Sequence, residues 1–223
     1  MMDTFSLLPC NIDIPDGAGV ITILPGSRSE IWYNMKISLS VCRKIHFLNR
    51  EIIFLMDLSQ RVLLEEFYEY ILKEGWNFSE EKDVINLIHR DGTEVKMSQK
   101  CFGYMIHRAD AVLGLGGTAN EQAAGLGKPV VTFWSPERQV RPSFIKHQKS
   151  LLGESLIIVS AEPDTIADKL LELMRNPLKA RELGQIGSAR MGGRGGGNKI
   201  VDYIMKFAEH LRKDNSEQKR KIL

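Results

Sequence analysis

Two short stretches carry residues that can do chemistry together: Leu24-Pro-Gly-Ser-Arg-Ser-Glu30 and Gly116-Gly-Thr-Ala-Asn-Glu121. Each follows a short apolar run and precedes a helical pattern, so each reads as strand, glycine turn, helix. Such turns lie at the carboxyl edge of a parallel sheet, where open α/β folds bind ligands. A helix start there presents unpaired N–H groups, a ready anion site. Glycine lets the backbone approach something closely. Arg28 adds a fixed positive charge and a bidentate fork suited to a phosphate oxygen. The two phosphates of a diphosphate fit between two such helix starts, so the pair is more specific than either turn alone. Both stretches also match a capping box, Ser27 to Glu30 and Thr118 to Glu121, which by itself does no more than start a helix. Glu121 is therefore read two ways, as a cap and as a ligand for a ribose.

Competing phosphate motifs fail. The chain has no G-x-x-x-x-G-K-[ST], which excludes a P-loop. Gly114-Leu-Gly-Gly lacks the third dinucleotide glycine and comes late in the chain, which argues against NAD. No two aspartates stand two apart, so a bound diphosphate would be neutralised by arginine and helix dipoles, with no metal and no cofactor.

Lysine and arginine number 30 and aspartate and glutamate 28, for a formal charge of +2. That balance makes no electrostatic case for nucleic acid. The cysteines Cys10, Cys42 and Cys101 are far apart and show no C-x-x-C spacing, so they read as buried reduced thiols in a cytoplasmic protein. No apolar run reaches membrane-span length, which leaves room for peripheral association at a membrane surface.

The elements that must position the two turns alternate. Strands are expected at 20–24, 52–55, 84–88, 94–97, 111–115, 129–133 and 156–159, with helical patterns between most of them and three helices at 163–175, 177–186 and 198–212. This is an α/β chain, a doubly wound parallel sheet of about six to seven strands with both faces covered. Residues 1–19 read as an irregular leader or linker remnant, 20–212 as one Rossmann-like domain and 213–223 as a charged tail. Asp57 and Ser59 follow the second strand on the ligand edge, where Asp-x-Ser also suits a helix cap.

At the two turns, and at Gly125-Leu-Gly-Lys-Pro-Val-Val131, the chain resembles the C-terminal half of GT-B glycosyltransferases. The closest likeness is to lipid-A-disaccharide synthase and a related group of synthase-like proteins; the transferase that makes lipid II is similar at lower resolution. The resemblance runs from about Val20 to about Ile204. It implies the donor-binding half of an inverting, metal-independent glycosyltransferase that holds a UDP-sugar of the UDP-N-acetylglucosamine type. It matches Glu121 to the ribose ligand, and Gly116, Gly117, Thr118, Ala119 and Asn120 to the turn whose amides face the diphosphate. It matches Gly26, Ser27 and Arg28 to the basic turn at the phosphates, and Arg138 and Gln139 to a pair that meets the donor sugar. Val95 to Met97 falls where uracil contacts lie. The resemblance also implies an acceptor-binding domain or subunit, and an acceptor at a membrane surface. Only about 20 residues precede the first strand, so the chain alone is expected to be inactive, with no general base to nominate. The alternatives are a non-catalytic nucleotide-sugar-binding subunit and a UDP-sugar 2-epimerase-like fragment.

Overall fold

The computed structural model describes residues 10–134, 142–193 and 195–220. Its centre is an eight-stranded sheet in the order β3-β4-β5-β2-β1-β6-β7-β8. The strands are β1 (Val20–Leu24), β2 (Ile53–Asp57), β3 (Trp76–Glu81), β4 (Val84–His89), β5 (Glu94–Ser98), β6 (Ala111–Gly114), β7 (Val130–Trp134) and β8 (Leu156–Ser160). From β5 through β8 every neighbouring pair is parallel. The two remaining pairs, β3–β4 and β4–β5, are antiparallel, so β4 alone runs against the rest of the sheet. The helices are α1 (Ile31–Leu48), α2 (Leu64–Lys73), α3 (Phe102–Arg108), α4 (Thr118–Gly125), α5 (Pro142–Leu152), α6 (Pro163–Arg175), α7 (Pro177–Met191) and α8 (Gly196–Arg220).

β1 is buried along its whole length, as a parallel strand covered on both faces must be. Alternation along it divides the core. Ile21 and Ile23 pack with Met35, Leu39 and Ile45 of α1 and Leu170 of α6, while Leu24 packs with Ile106 of α3 and Ala123 of α4. Thr22 is the polar exception, and its hydroxyl donates to the Met105 carbonyl at 2.8 Å. α1 buries the expected stripe, Ile31, Met35, Leu39, Cys42 and Ile45.

Four expectations need correction. The sheet gains an eighth strand, β3, which has exposed Glu80 and Glu81 and no apolar run to announce it; it forms because β4 offers an open edge. The second half of the stretch read as a leader is docked. Ile12 and Ile14 are buried beside Val20 and Met105, and Tyr104 donates to the Ile12 carbonyl at 2.9 Å. That docking brings Cys10 to Cys101, 91 residues apart, at a Cα–Cα distance of 5.6 Å, and the two form a disulfide. The reading of all three cysteines as reduced thiols is therefore overturned, and with it the thiol argument for a reducing compartment. Cys42 is buried and free. Finally, α8 extends to Arg220, so most of the stretch read as a tail is helical. Apolar residues near its start, including Ile200, Tyr203 and Phe207, are exposed. Among the described residues no helix is long and apolar enough to cross a membrane.

Protein denatured without reductant is expected to titrate one thiol, Cys42. Three thiols would remove the cross-link. Cys10→Ser should cost about 2–4 kcal/mol, read from the urea midpoint, because the closed loop is long.

Candidate functional site

The sheet order places the two glycine turns side by side. From β1 the chain steps to β2 on one side, while β6, β7 and β8 step away on the other, so the strand order reverses between β1 and β6. Leu24 and Gly114, the last residues of β1 and β6, are register partners, and the Leu115 amide donates to the Leu24 carbonyl at 2.9 Å. The carboxyl edge at such a reversal is where ligands of open α/β sheets sit. A cavity of about 540 Å³ opens there. Its walls include Gly26, Ser27, Arg28 and Glu30 from the first turn, and Gly116, Gly117, Thr118, Ala119 and Glu121 from the second. Asp57 comes from the end of β2, Ser59 and Gln60 from the segment after it, Gln99 from the segment after β5, and Phe144 from α5.

Buried carboxamides aim both turns. Asn34 of α1, fully buried, donates from Nδ2 to the Pro25 carbonyl at 2.9 Å. Gln148 of α5 is 4% exposed. Its Nε2 donates to the Gly117 carbonyl at 3.0 Å and to the Gly116 carbonyl at 3.5 Å. Its Oε1 accepts from Asn120 Nδ2 at 3.1 Å, and the same Nδ2 donates to the Gly114 carbonyl at 3.1 Å. A trans peptide points its carbonyl and its N–H in opposite directions. Holding the carbonyls of Pro25, Gly116 and Gly117 on the carboxamides therefore turns the N–H groups of Gly26, Gly117 and Thr118 away from them. Helical bonding in α4 begins with the Asn120 and Glu121 amides, both donating to the Gly117 carbonyl. The amides before them have no acceptor in the helix.

Both capping boxes fail to form. α1 starts after Glu30 and α4 after Gly117, and neither start carries a side-chain cap bond. Glu30 and Glu121 are thus not spent on capping, and both line the cavity. Asp57 does not cap α2 either, because that helix begins only at Leu64 and has no side-chain cap. The glycines answer to local geometry. Gly26 has φ +92°, the left-handed region that favours glycine, and a Cβ on Gly114 would stand 2.2 Å from Asn120 Oδ1.

Of the residues nominated from the sequence, Gly26, Ser27, Arg28, Gly116, Gly117, Thr118, Ala119 and Glu121 are brought together. Asn120 is not a cavity residue: its side chain is 1% exposed and locked between Gly114 and Gln148. Met97 is fully buried in the main core, with β2 and β4 hydrogen-bonded on either side, so neither its side chain nor its ladder backbone is open to a base. Gln99, two residues on, is what reaches the cavity from that strand. Arg138 and Gln139 lie outside the described residues. Sequence reasoning missed Asn34, Gln148, Glu30, Gln99 and Phe144. Asn34 had a legible signal, a polar residue inside the buried stripe of α1.

Charge in the cavity is mixed. Among its described residues Arg28 is the one cation, against Glu30, Asp57 and Glu121. Burial pushes the Asp57 carboxyl up to about 7, because the charged form loses its water.

The chain is 27% identical over 201 residues to lipid-A-disaccharide synthase of Alkalilimnicola ehrlichii, a match covering 82% of this chain and 49% of that protein. The chain thus spans about half the length of the curated relative it matches. The S. aureus MnaA–UDP co-structure superposes with TM-score 0.56 at 14% identity, covering 91% of this chain and 50% of that one. The UDP-GlcNAc 2-epimerase of Neisseria meningitidis bound to UDP-GlcNAc superposes with TM-score 0.53 at 18% identity, covering 86% and 45%. The fold is that of a GT-B C-terminal domain. No family model matches the chain. In this fold the reversal of strand order, the two glycine turns and the cavity coincide.

Gln148→Leu should leave two turn carbonyls and Asn120 without their partner. The expected loss is about 1–3 kcal/mol in the urea midpoint. Asp57 gives a pH dependence with a definite sign. The folded protein keeps this proton in a range where the unfolded chain has lost it, so stability falls as pH rises from the ordinary carboxylate range to about 7. Asp57→Asn should flatten that part of the curve of unfolding free energy against pH.

Proposed function

We propose that this chain is the donor-binding half of a glycosyltransferase and that its cavity holds a UDP-sugar of the UDP-N-acetylglucosamine type. The observation that carries the reading is the pairing of the two turns at the reversal of strand order, with helix-start amides turned away from buried carboxamides. In this reading the diphosphate lies between the turns. The amides of Gly117, Thr118 and Ala119 and the Arg28 guanidinium hold its oxygens. Glu121, not spent on a cap, accepts from the ribose hydroxyls. Arg138 and Gln139 remain assigned to the donor sugar by resemblance.

In this reading transfer is inverting and uses no metal. An acceptor hydroxyl attacks the anomeric carbon from the face opposite the diphosphate, and negative charge builds on the leaving UDP. Fixed donors aimed at that charge stabilise it more in the transition state than in the ground state. Acceptor binding and the general base are assigned to a domain or subunit beyond the donor site, with an acceptor presented at a membrane surface. The sequence likeness to lipid-A-disaccharide synthase favours transfer. A 2-epimerase reading draws support from solved neighbours of that name, one of them bound to UDP-GlcNAc. Recovery of an epimerised UDP-sugar without any acceptor would favour it over transfer.

Calorimetric titration with UDP, UDP-N-acetylglucosamine and NAD tests the site. Heat is expected with the two uridine ligands and none with NAD. Arg28→Ala should weaken UDP by about 10- to 100-fold, the worth of a charge-assisted hydrogen bond. Unchanged affinity in that variant would remove Arg28 from the site, and the absence of heat with either uridine ligand would overturn the donor reading.

A further inference from the structure

The donor reading leaves two ionisable groups of the cavity, Glu30 and Asp57, without a task. Asp57 is the last residue of β2, in register with Ser98 of β5. It lines the cavity, and among the described residues no hydrogen bond or ion pair reaches its carboxyl. Its surroundings are held in place. Gln99 Nε2 donates to the Ser59 carbonyl at 3.0 Å and to the Val62 carbonyl at 2.9 Å, and Gln60 Nε2 donates to the Gln99 carbonyl at 3.2 Å. These bonds tie the segment after β2 to the segment after β5 without any ligand present.

The shape of the cavity says which part of a ligand meets Asp57. Neighbouring strands stand about 4.8 Å apart, so β2 lies roughly 10 Å along the sheet from β6. The described cavity wall extends from the two turns toward β2 and β5 and takes no residue from β7 or β8. A nucleoside diphosphate with its phosphates at the turns therefore lays one end toward Asp57. The reacting sugar must stay open to an acceptor, whereas the β2–β5 end is walled by the two hydrogen-bonded segments. The base is the part that fits there.

We propose that Asp57 reads the nucleobase of the donor: its protonated carboxyl makes a two-point pair with a uracil ring, accepting from N3–H and donating to O4. This rests on the donor reading above. A carboxylate can only accept, whereas a carboxylic acid offers a donor beside an acceptor, the complement of that edge. Burial makes the proton available near neutral pH, and desolvation is the cause of the shift. The charged groups around it do not set that shift. Arg28 and Glu30 come from the turn after β1 and Glu121 from α4. Beyond β5, Lys100 is paired with Asp83 at 2.6 Å, and on its own segment Arg61 is exposed.

The test is calorimetry with UDP-N-acetylglucosamine, whose diphosphate keeps its charge across the range, at about pH 6 and about pH 8. Wild-type affinity should fall about tenfold between the two, as the proton is lost. Asp57→Asn, which keeps a donor beside an acceptor, should bind within about threefold of wild type at pH ~6 and show no fall. Asp57→Leu should lose about tenfold or more at pH ~6 and leave inorganic pyrophosphate affinity unchanged. N3-methyl-UDP should bind wild type about as weakly as UDP binds Asp57→Leu, and the two losses should not add. Wild type that binds UDP-N-acetylglucosamine with no pH dependence, Asp57→Leu that binds UDP normally, or additive losses would overturn the base-reading role alone. Wild type that binds neither uridine ligand would overturn the donor reading and this inference with it.

Discussion

The site depends on three buried carboxamides. Asn34, Asn120 and Gln148 hold the carbonyls at the ends of β1 and β6 and in the glycine turns. A parallel strand ends with backbone groups that its neighbours no longer pair, and a buried orphan costs free energy. Filling the carbonyl side from within the protein leaves the N–H side for a ligand. The same bonds explain why the turns are rich in glycine. Gly114 has no room for a Cβ because Asn120 reaches its carbonyl, and Gly117 has little because Phe144 lies 3.1 Å from where its Cβ would be. The glycines near the site are thus consequences of its supporting bonds as much as of any ligand.

Electrostatics reinforces that view. With Arg28 as the one described cation among three carboxyl groups, net charge does not make this cavity an anion site. In the proposed reading oriented amides do, acting over short distances in a partly desolvated space where their partial charges count most. The carboxyl groups are then free to meet neutral donors such as hydroxyls and ring N–H groups. A ligand with anionic and neutral hydrogen-bonding parts in fixed order, as a nucleotide has, is what the proposed reading places there.

Legibility differed by element. Buried parallel strands such as Val20–Leu24 announce themselves as short apolar runs closed by Pro25 and Gly26, and the stripe of α1 is plain. β3 was not legible, because an exposed edge strand needs no apolar run and exists through its pairing with β4. Met97 does not reach the cavity for a related reason: a ladder residue spends its backbone on neighbours, and Gln99 beyond the strand end is what lines the wall. The two capping boxes were real sequence patterns that the backbone did not use, since Glu30 and Gly117 occupy the cap positions without a side-chain bond.

By itself the sequence determined the alternation of strands and helices, the place of the two glycine turns at strand ends and the presence of Arg28 and Glu121 beside them. These are local properties, set by periodicity and by residues within a few positions of each other. Tertiary structure decided the rest. It made β1 and β6 neighbours, which joins turns about 90 residues apart, and it brought Gln148 beneath one of them. It closed Cys10 on Cys101 and left Asp57 at the cavity wall with no partner among the described residues. Each of these depends on contacts between segments distant in the chain, and strand order leaves no periodic trace in the residues that obey it.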